Sequence, residues 1–223
     1  MLGALIGGLC AFALLATDDL LHGPMFQFDT RVTGRVGVWA QAGFPTTAVG
    51  DVLSLPGDTW VGTGLVLLMA VWVWIRKQRV LAMWAAGIGI AVSLVIGLLK
   101  NVFARARPEL AAAHGYAFPS GHTLTATAAV GSAIILATET YRRTRGDGAH
   151  RLTQRAMWAT ALGVAAGLGL MAGVGRVLAR DHWFSDVLAS WSLGVALAGG
   201  ILLALSRTAP AGETGPKVPP PKP

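Results

Sequence analysis

The sequence predicts an all-α, polytopic membrane protein with six transmembrane helices and a short interfacial amphipathic helix after the first span. Of the 223 residues, 53% are hydrophobic and only 13% are charged, which is poor in charge for a soluble domain. Six apolar stretches approach or reach the roughly 20 residues that a helix needs to cross the hydrocarbon core. None carries the polar stripe at helical period that a soluble helix bundle requires. The six stretches are 2–16, 59–75, 80–99, 123–140, 156–175 and 187–205.

The first stretch, residues 2–16, is the shortest, and its length alone does not decide whether it crosses the whole bilayer. No Lys or Arg precedes it, so we do not expect a secretory signal peptide. The single cysteine, Cys10, lies within it. One cysteine forms neither an internal disulfide nor a cysteine-based metal site, so the sequence does not predict redox chemistry.

Residues 17–58 join the first two stretches and contain the predicted interfacial helix. Four apolar residues recur at helical spacing and are expected to form one apolar face, namely Phe28, Val32, Val36 and Trp39. The charged residues are expected to point elsewhere, namely Asp29, Arg31 and Arg35. The pattern fits contact with lipid and contact with protein about equally. Residues 43–45, Gly-Phe-Pro, are expected to end this helix.

Positive charge predicts the orientation. The net charge is +7, and the basic residues concentrate after the second, fourth and sixth stretches, which share one side of a six-span layout. The positive-inside rule makes that side cytoplasmic, together with both termini of an integral plasma (inner) membrane protein. This placement argues against nucleic-acid binding. Residues 1–205 are expected to form one membrane domain, and 206–223, rich in Pro and Gly, a disordered cytoplasmic tail.

Polar residues gather in three clusters at the ends of the apolar stretches. They are KNVFARARP at 100–108, PSGH at 119–122 and GRVLARDHWFSD at 175–186. The first two share a loop, and two crossings separate that loop from the third. Because an even number of crossings returns the chain to the same face, the three clusters can meet. The charge rule places that face outside the cytoplasm.

The cations in these clusters suit an oxyanion. Arg107 and Arg176 offer guanidinium forks for phosphate oxygens, and Lys100 adds a third positive charge. Ser120 and Gly121 precede the first turn of a predicted helix, where unpaired N–H groups and the positive end of the helix dipole favour an anion. The sequence therefore predicts an anion seat at PSGH.

Two histidines supply candidates for catalysis. His182 has Asp186 one helical turn later, a spacing that lets a carboxylate hold the imidazole so that its other nitrogen can attack. His122 lies beside the anion seat, where it could protonate a leaving oxygen. Taken singly, each charged residue also fits a structural role, such as snorkelling or an interfacial ion pair. We assign five further charged residues to the rim: Arg105, Glu109, His114, Arg180 and Asp181.

Taken together, the clusters resemble the three-part signature of the type 2 phosphatidic acid phosphatase family, which the vanadium-dependent haloperoxidases share. In the first part of the pattern, Lys100 is followed by six residues and then by Arg107-Pro108. The second part is PSGH at 119–122. In the third part, Arg176 is followed after five residues by His182 and after three more by Asp186. The region around Phe28-Asp29 is also similar to that family. One departure is visible: the family commonly has serine before the arginine of the third cluster, where this chain has Gly175.

The resemblance implies a role for each matching residue. His182 would be the nucleophile that forms a phosphohistidine, Asp186 its orienting partner and His122 the acid. Water would then release phosphate without a metal or any other cofactor. The phosphate would be bound by Lys100, Arg107, Ser120, the backbone N–H of Gly121, and Arg176.

The function that the resemblance implies is hydrolysis of a lipid phosphate or diphosphate at the outer (periplasmic or extracellular) face of the membrane. Candidate substrates are prenyl diphosphates such as undecaprenyl diphosphate, phosphatidic acid and phosphatidylglycerol phosphate, with membrane lipids as surroundings. A phosphotransferase acting on a lipid or sugar acceptor would use the same site. A vanadate-dependent oxidase fits less well, because such enzymes are soluble. A transporter for anions or lipid phosphates is the alternative of another class, although carriers place their sites near the bilayer midplane.

Overall fold

The computed structural model describes residues 1–145 and 151–208. All regular secondary structure in these residues is helical. A 3-10 turn, Leu55–Gly57, joins α3 to α4, and a π-helical segment, Thr125–Val130, joins α6 to α7. The helices are α1 (Leu2–Leu21), α2 (Pro24–Gln41), α3 (Thr46–Ser54), α4 (Thr59–Ile75), α5 (Arg79–Phe103), α6 (Gly121–Leu124), α7 (Gly131–Arg145), α8 (Arg151–Leu178) and α9 (Phe184–Thr208).

Six helical stretches of the described chain are long and apolar enough to cross a membrane. The predicted all-α class with six spans is therefore confirmed, and the chain is an integral multi-pass membrane protein. The first stretch, α1, has 20 residues and is longer than predicted. Its last turn contains Asp18 and Asp19, which interrupt the apolar pattern. The helix nevertheless continues to Leu21, and the carboxylate of Asp19 pairs with the Nε of Arg105 at 2.8 Å.

The predicted interfacial helix is α2, and Pro24 occupies its first turn, where a missing backbone N–H costs nothing. Gly43 follows it with a φ of +91°, a conformation that glycine adopts without strain. The short helix α3 was not predicted. Because it has only nine residues, its sequence is too short to show a helical period. Together α3, the 3-10 turn and α4 make one stretch, Thr46–Ile75.

Glycines allow the closest helix contacts in the bundle. The helix α1 packs along α9, and α3 packs along α8. A Cβ on Gly8 would lie 2.5 Å from the carbonyl oxygen of Ser192 on α9. A Cβ on Gly50 would lie 2.5 Å from the carbonyl oxygen of Gly175 on α8. Small residues at such crossings are typical of membrane helices, whose backbones approach closely to gain packing contacts.

The tail predicted over 206–223 begins inside a helix, because α9 continues to Thr208. The remaining part of that tail, 209–223, lies outside the described residues.

Candidate active site

A polar pocket of about 320 Å³ lies where α4, α5 and α6 approach the segment between α8 and α9. Five of the predicted site residues line it, namely Lys100, Arg107, Gly121, His122 and His182. We call it the anion pocket. All three polar clusters of the sequence contribute to it, so they meet at one end of the bundle.

His182 lies at the base of this pocket and is only 2% exposed. Its Nδ1 is 3.3 Å from the Oδ2 of Asp186, and its Nε2 is 3.2 Å from the Nη1 of Arg107. Burial lowers the pKa of His182 well below its usual range, and Arg107, Lys100 and Arg176 lower it further. The ring is therefore neutral near pH 7. Because the carboxylate accepts and the guanidinium only donates, the proton belongs on Nδ1 and the lone pair on Nε2.

Arg107 and Lys100 bind neutral carbonyl groups. Arg107 donates from Nε to the oxygen of Gly115 at 3.0 Å and from Nη1 to the oxygen of Asp181 at 2.6 Å. Lys100 donates from Nζ to the oxygen of Tyr116. Burial, followed by repulsion from Arg176, lowers the pKa of Arg107, but a guanidinium stays protonated in proteins. Because their partners are uncharged, these hydrogen bonds do not pair either cation with an acid.

Arg176 is buried beside the pocket, where α3 crosses α8. Its Nη2 pairs with Asp181, and its Nη1 lies 3.3 Å from the Oγ of Ser54 and 3.5 Å from Asp51. Its Nε is buried and has no hydrogen-bond partner among the described residues. Arg176 is not among the residues that line the pocket, so the structure brings it beside the predicted anion site and not into its wall.

Asp181 is buried at 4% exposure, so its assignment to the rim is wrong. Its Oδ1 accepts hydrogen bonds from the backbone N–H groups of Ala112 and Ala113 at 3.0 and 3.1 Å. Its Oδ2 pairs with Arg176. The residue therefore ties the loop between α5 and α6 to the end of α8.

The predicted anion seat is the start of α6. Ser120 is fully buried, its Oγ accepts from the Oγ1 of Thr123 at 2.9 Å, and its N–H donates to the oxygen of Asp186 at 3.2 Å. The peptide between Phe118 and Pro119 is cis. Gly57, in the 3-10 turn, packs on the seat so closely that a Cβ would lie 1.9 Å from the oxygen of His122. The backbone of the seat is therefore held from several sides.

His122 lies at the open side of the pocket, with 30% of its side chain exposed. Its Nε2 is 3.9 Å from the Oδ2 of Asp58, which is beyond hydrogen-bond distance. Asp58 caps α4 by accepting the N–H groups of Trp60 and Val61 at 2.9 and 3.2 Å. The ring can therefore reach an oxygen that leaves through the open side.

The side chain of Arg105 is only 8% exposed, so the prediction that it is a rim charge is wrong. Its guanidinium pairs with Asp19 at 2.8 Å, Asp29 at 2.8 Å and Asp186 at 2.7 Å. We call these three acids the carboxylate cluster. Burial by itself lowers the pKa of Arg105, but Asp186, Asp29 and Asp19 outweigh it and raise the pKa. No local sequence pattern around Arg105 indicates this pairing, because the three acids lie on α1, α2 and α9.

The carboxylate cluster holds the start of α9. Asp29 accepts the N–H of Ser185 at 2.9 Å. Asp186 accepts Arg105 on Oδ1 at 2.7 Å and the N–H of Trp183 on Oδ2 at 2.9 Å, the same oxygen that faces His182. The acid that faces the histidine is thus fixed by two further donors.

No group of three or more His, Cys, Asp and Glu side chains within 1–145 and 151–208 is arranged to hold a metal ion. The residues of the pocket instead suit an oxyanion, because its lining supplies Lys, Arg and backbone N–H donors.

Comparisons with known proteins agree with this arrangement. A sequence model described as the PAP2 superfamily matches residues 81–209, a range that includes all three polar clusters. The fold is similar to the crystal structure of a transmembrane PAP2-type phosphatidylglycerolphosphate phosphatase from Bacillus subtilis. The TM-score is 0.76 at 17% sequence identity, over 94% of this chain and 99% of that chain. No curated protein sequence matches the chain.

Proposed function

Because this chain belongs to the PAP2 superfamily, we propose that it is a membrane lipid phosphatase that works through a phosphohistidine on His182. One observation carries the proposal. The neutral ring of His182 has Asp186 on one nitrogen and, on the other, a pocket lined by Lys100 and Arg107. A nucleophile with a fixed tautomer beside cations is what attack on a phosphate requires.

In the proposed reaction the lone pair of His182 Nε2 attacks phosphorus, and the bond from phosphorus to the lipid oxygen breaks. The leaving oxygen takes its proton from His122. Asp186 stabilises the positive charge that the phosphorylated ring acquires. Water then attacks phosphorus and gives a proton back to His122, the phosphorus–nitrogen bond breaks, and phosphate leaves. The cations and the N–H of Gly121 stabilise the charge on the transferring group.

A lipid substrate is supported by a second cavity that adjoins the anion pocket. This cavity, of about 150 Å³, lies between α4 and α5 and shares Thr63, Ser93 and Thr125 with the pocket. The rest of its lining is apolar or small, including Gly62 and Val66. A head group in the pocket could therefore keep its tail between the two helices and in the bilayer.

The proposed site faces the outside of the membrane. Arg76 and Lys77 lie in the turn between α4 and α5, and Arg79 begins α5. This turn lies at the opposite end of α4 from Asp58, which approaches His122. By the positive-inside rule the basic end is cytoplasmic. The pocket is then periplasmic or extracellular, and both termini are cytoplasmic.

The position of the pocket does not favour a carrier. Lys100 lies in the last turn of α5 and His122 in the first turn of α6, whereas carriers bind substrates near the midplane. Water and an alcohol can both accept the phosphoryl group in such a site, so the assay should measure free phosphate and phosphorylated acceptor separately.

The test is phosphate release by the purified protein in detergent from phosphatidic acid, phosphatidylglycerol phosphate and a prenyl diphosphate, each with and without a chelator. We expect turnover of at least one lipid that the chelator does not reduce. His182→Ala should lower kcat by about 10⁴-fold or more, because the nucleophile is lost, while the lipid still binds. Undiminished phosphate release by that variant, or release that needs added metal, would contradict the mechanism.

A further inference from the structure

A separate groove, of about 560 Å³, lies between α2 and the ends of α8 and α9 that carry the site. Its walls are mostly apolar and include Val32 from α2, Val174 from α8 and Trp191 from α9. Its charged lining consists of Arg31 and Arg35 of α2. None of its lining residues lines the anion pocket, so a molecule bound there would not be the molecule in the pocket.

Arg31 and Arg35 are both exposed and are four residues apart, which places them on the same side of α2. Neither has a hydrogen bond or an ion pair with another described residue. Like charges at this spacing repel each other. An anion at the mouth of the groove would remove that repulsion and would accept hydrogen bonds from both guanidinium groups.

The groove also extends along the bundle. Its lining on α9 runs from Phe184 to Trp191, which spans about 10 Å at the helical rise of 1.5 Å per residue. An apolar channel of this length fits part of an acyl chain. Apolar walls below two cations match a lipid that carries a negative head group, whereas a soluble anion would leave the walls uncovered.

We propose that this groove binds an acyl chain of an anionic phospholipid, whose head-group phosphate contacts Arg31 and Arg35. A lipid in the groove would contact α2 on one side and α8 and α9 on the other. The same helix carries Asp29, which accepts hydrogen bonds from Ser185 and Arg105. Occupancy of the groove therefore supports the helix that holds the carboxylate cluster.

The test measures lipid binding and needs no turnover. The purified full chain is incubated with equal amounts of phosphatidylglycerol and phosphatidylcholine of identical chains, and retained lipid is counted by native mass spectrometry. We expect wild type to retain phosphatidylglycerol about tenfold more than phosphatidylcholine, given the contribution of each arginine near a lipid surface. In Arg31→Gln/Arg35→Gln the preference should fall to near one, and in Arg31→Lys/Arg35→Lys most of it should remain.

Two further variants distinguish lipid binding in this groove from a general effect of positive charge on the protein. Arg76→Gln/Arg79→Gln removes the same charge at the opposite end of the bundle and should keep the preference. Val174→Trp fills the groove at an exposed position and should reduce retention of both lipids; Leu178→Trp replaces it if Val174→Trp does not fold. Equal retention of the two lipids by wild type overturns the proposal. So does a preference that survives Arg31→Gln/Arg35→Gln, or full retention by a folded groove-filling variant.

Discussion

Arg105 and Arg107 lie two residues apart in the loop after α5, yet their surroundings are opposite. Arg105 pairs with all three acids of the carboxylate cluster at 2.7 to 2.8 Å. Arg107 donates to two backbone carbonyl groups and faces the Nε2 of His182. The first guanidinium is neutralised inside the protein, and the second is not.

The difference shows that neighbouring cations of one loop can have different roles. A guanidinium enclosed by carboxylates fixes the positions of helices, and its charge has little effect beyond them. A guanidinium held by neutral carbonyl groups is also fixed in position, but its positive charge remains available to attract an anion. His182 lies at the boundary, with an acid on Nδ1 and a cation near Nε2, which sets the direction in which its lone pair points.

Of the substitutions at these two arginines, Arg107→Gln is expected to have the larger effect on catalysis. It removes a charge that stabilises the transferring phosphate, so kcat/KM should fall about 10²- to 10³-fold. Steady-state kinetics with the preferred lipid measures this, and thermal unfolding in detergent serves as the control, because the fold should be retained. Activity close to wild type would show that the charge of Arg107 is not available to substrate.

The matched substitution Arg105→Gln should act mainly on stability. It leaves three carboxylates, of which Asp29 and Asp186 are buried, without their cation, and removing one partner of a buried ion pair costs about 3–5 kcal/mol. Thermal unfolding should show a larger loss than for Arg107→Gln. Adding Asp29→Asn should recover part of it, since one uncompensated charge is then removed. If the two single variants unfold at the same temperature, the contrast between the two arginines is wrong.

A smaller effect is expected for Gly175→Ser, which introduces the residue that the family commonly has. A Cβ at this position would lie 2.5 Å from the oxygen of Gly50 and 2.8 Å from the nitrogen of Ser54. Such overpacking costs about 1–3 kcal/mol, and it moves α3 away from Arg176. Activity and the unfolding temperature should therefore both decrease. An increase in kcat would instead indicate that the hydroxyl finds a place at the site.

The smallest effect concerns pH. Because burial holds His182 neutral in the folded protein, the unfolded chain takes up its proton first as the pH falls below about 6.5. The stability linked to the neutral ring is complete above that pH and decreases below it by up to about 1.4 kcal/mol per pH unit. Unfolding temperatures measured at pH 7.5 and 5.5 should therefore fall more for wild type than for His182→Gln. Parallel decreases would contradict a neutral buried ring.

Much of the fold followed from the sequence, because apolar stretches of about 20 residues have few structural solutions. The placement of the three polar clusters on one face also followed, since it depends only on the number of crossings. The role of Arg105 could not be predicted. Its partners are separated from it by long stretches of chain. The sequence around an arginine in a loop does not distinguish a solvated side chain from one that is enclosed by acids. The helix α3 was missed because nine residues show no clear period.

The π-helical segment Thr125–Val130 has a consequence for how the length of this helix can change over evolutionary time. A π turn holds about one residue more than an α turn, so it takes up an extra residue without the rotation of about 100° that one residue adds to a regular α-helix. His122 before the segment and α7 after it can therefore keep their facing directions when one residue is gained or lost here. This segment is thus the part of the helix where a change of length by one residue disturbs the site least.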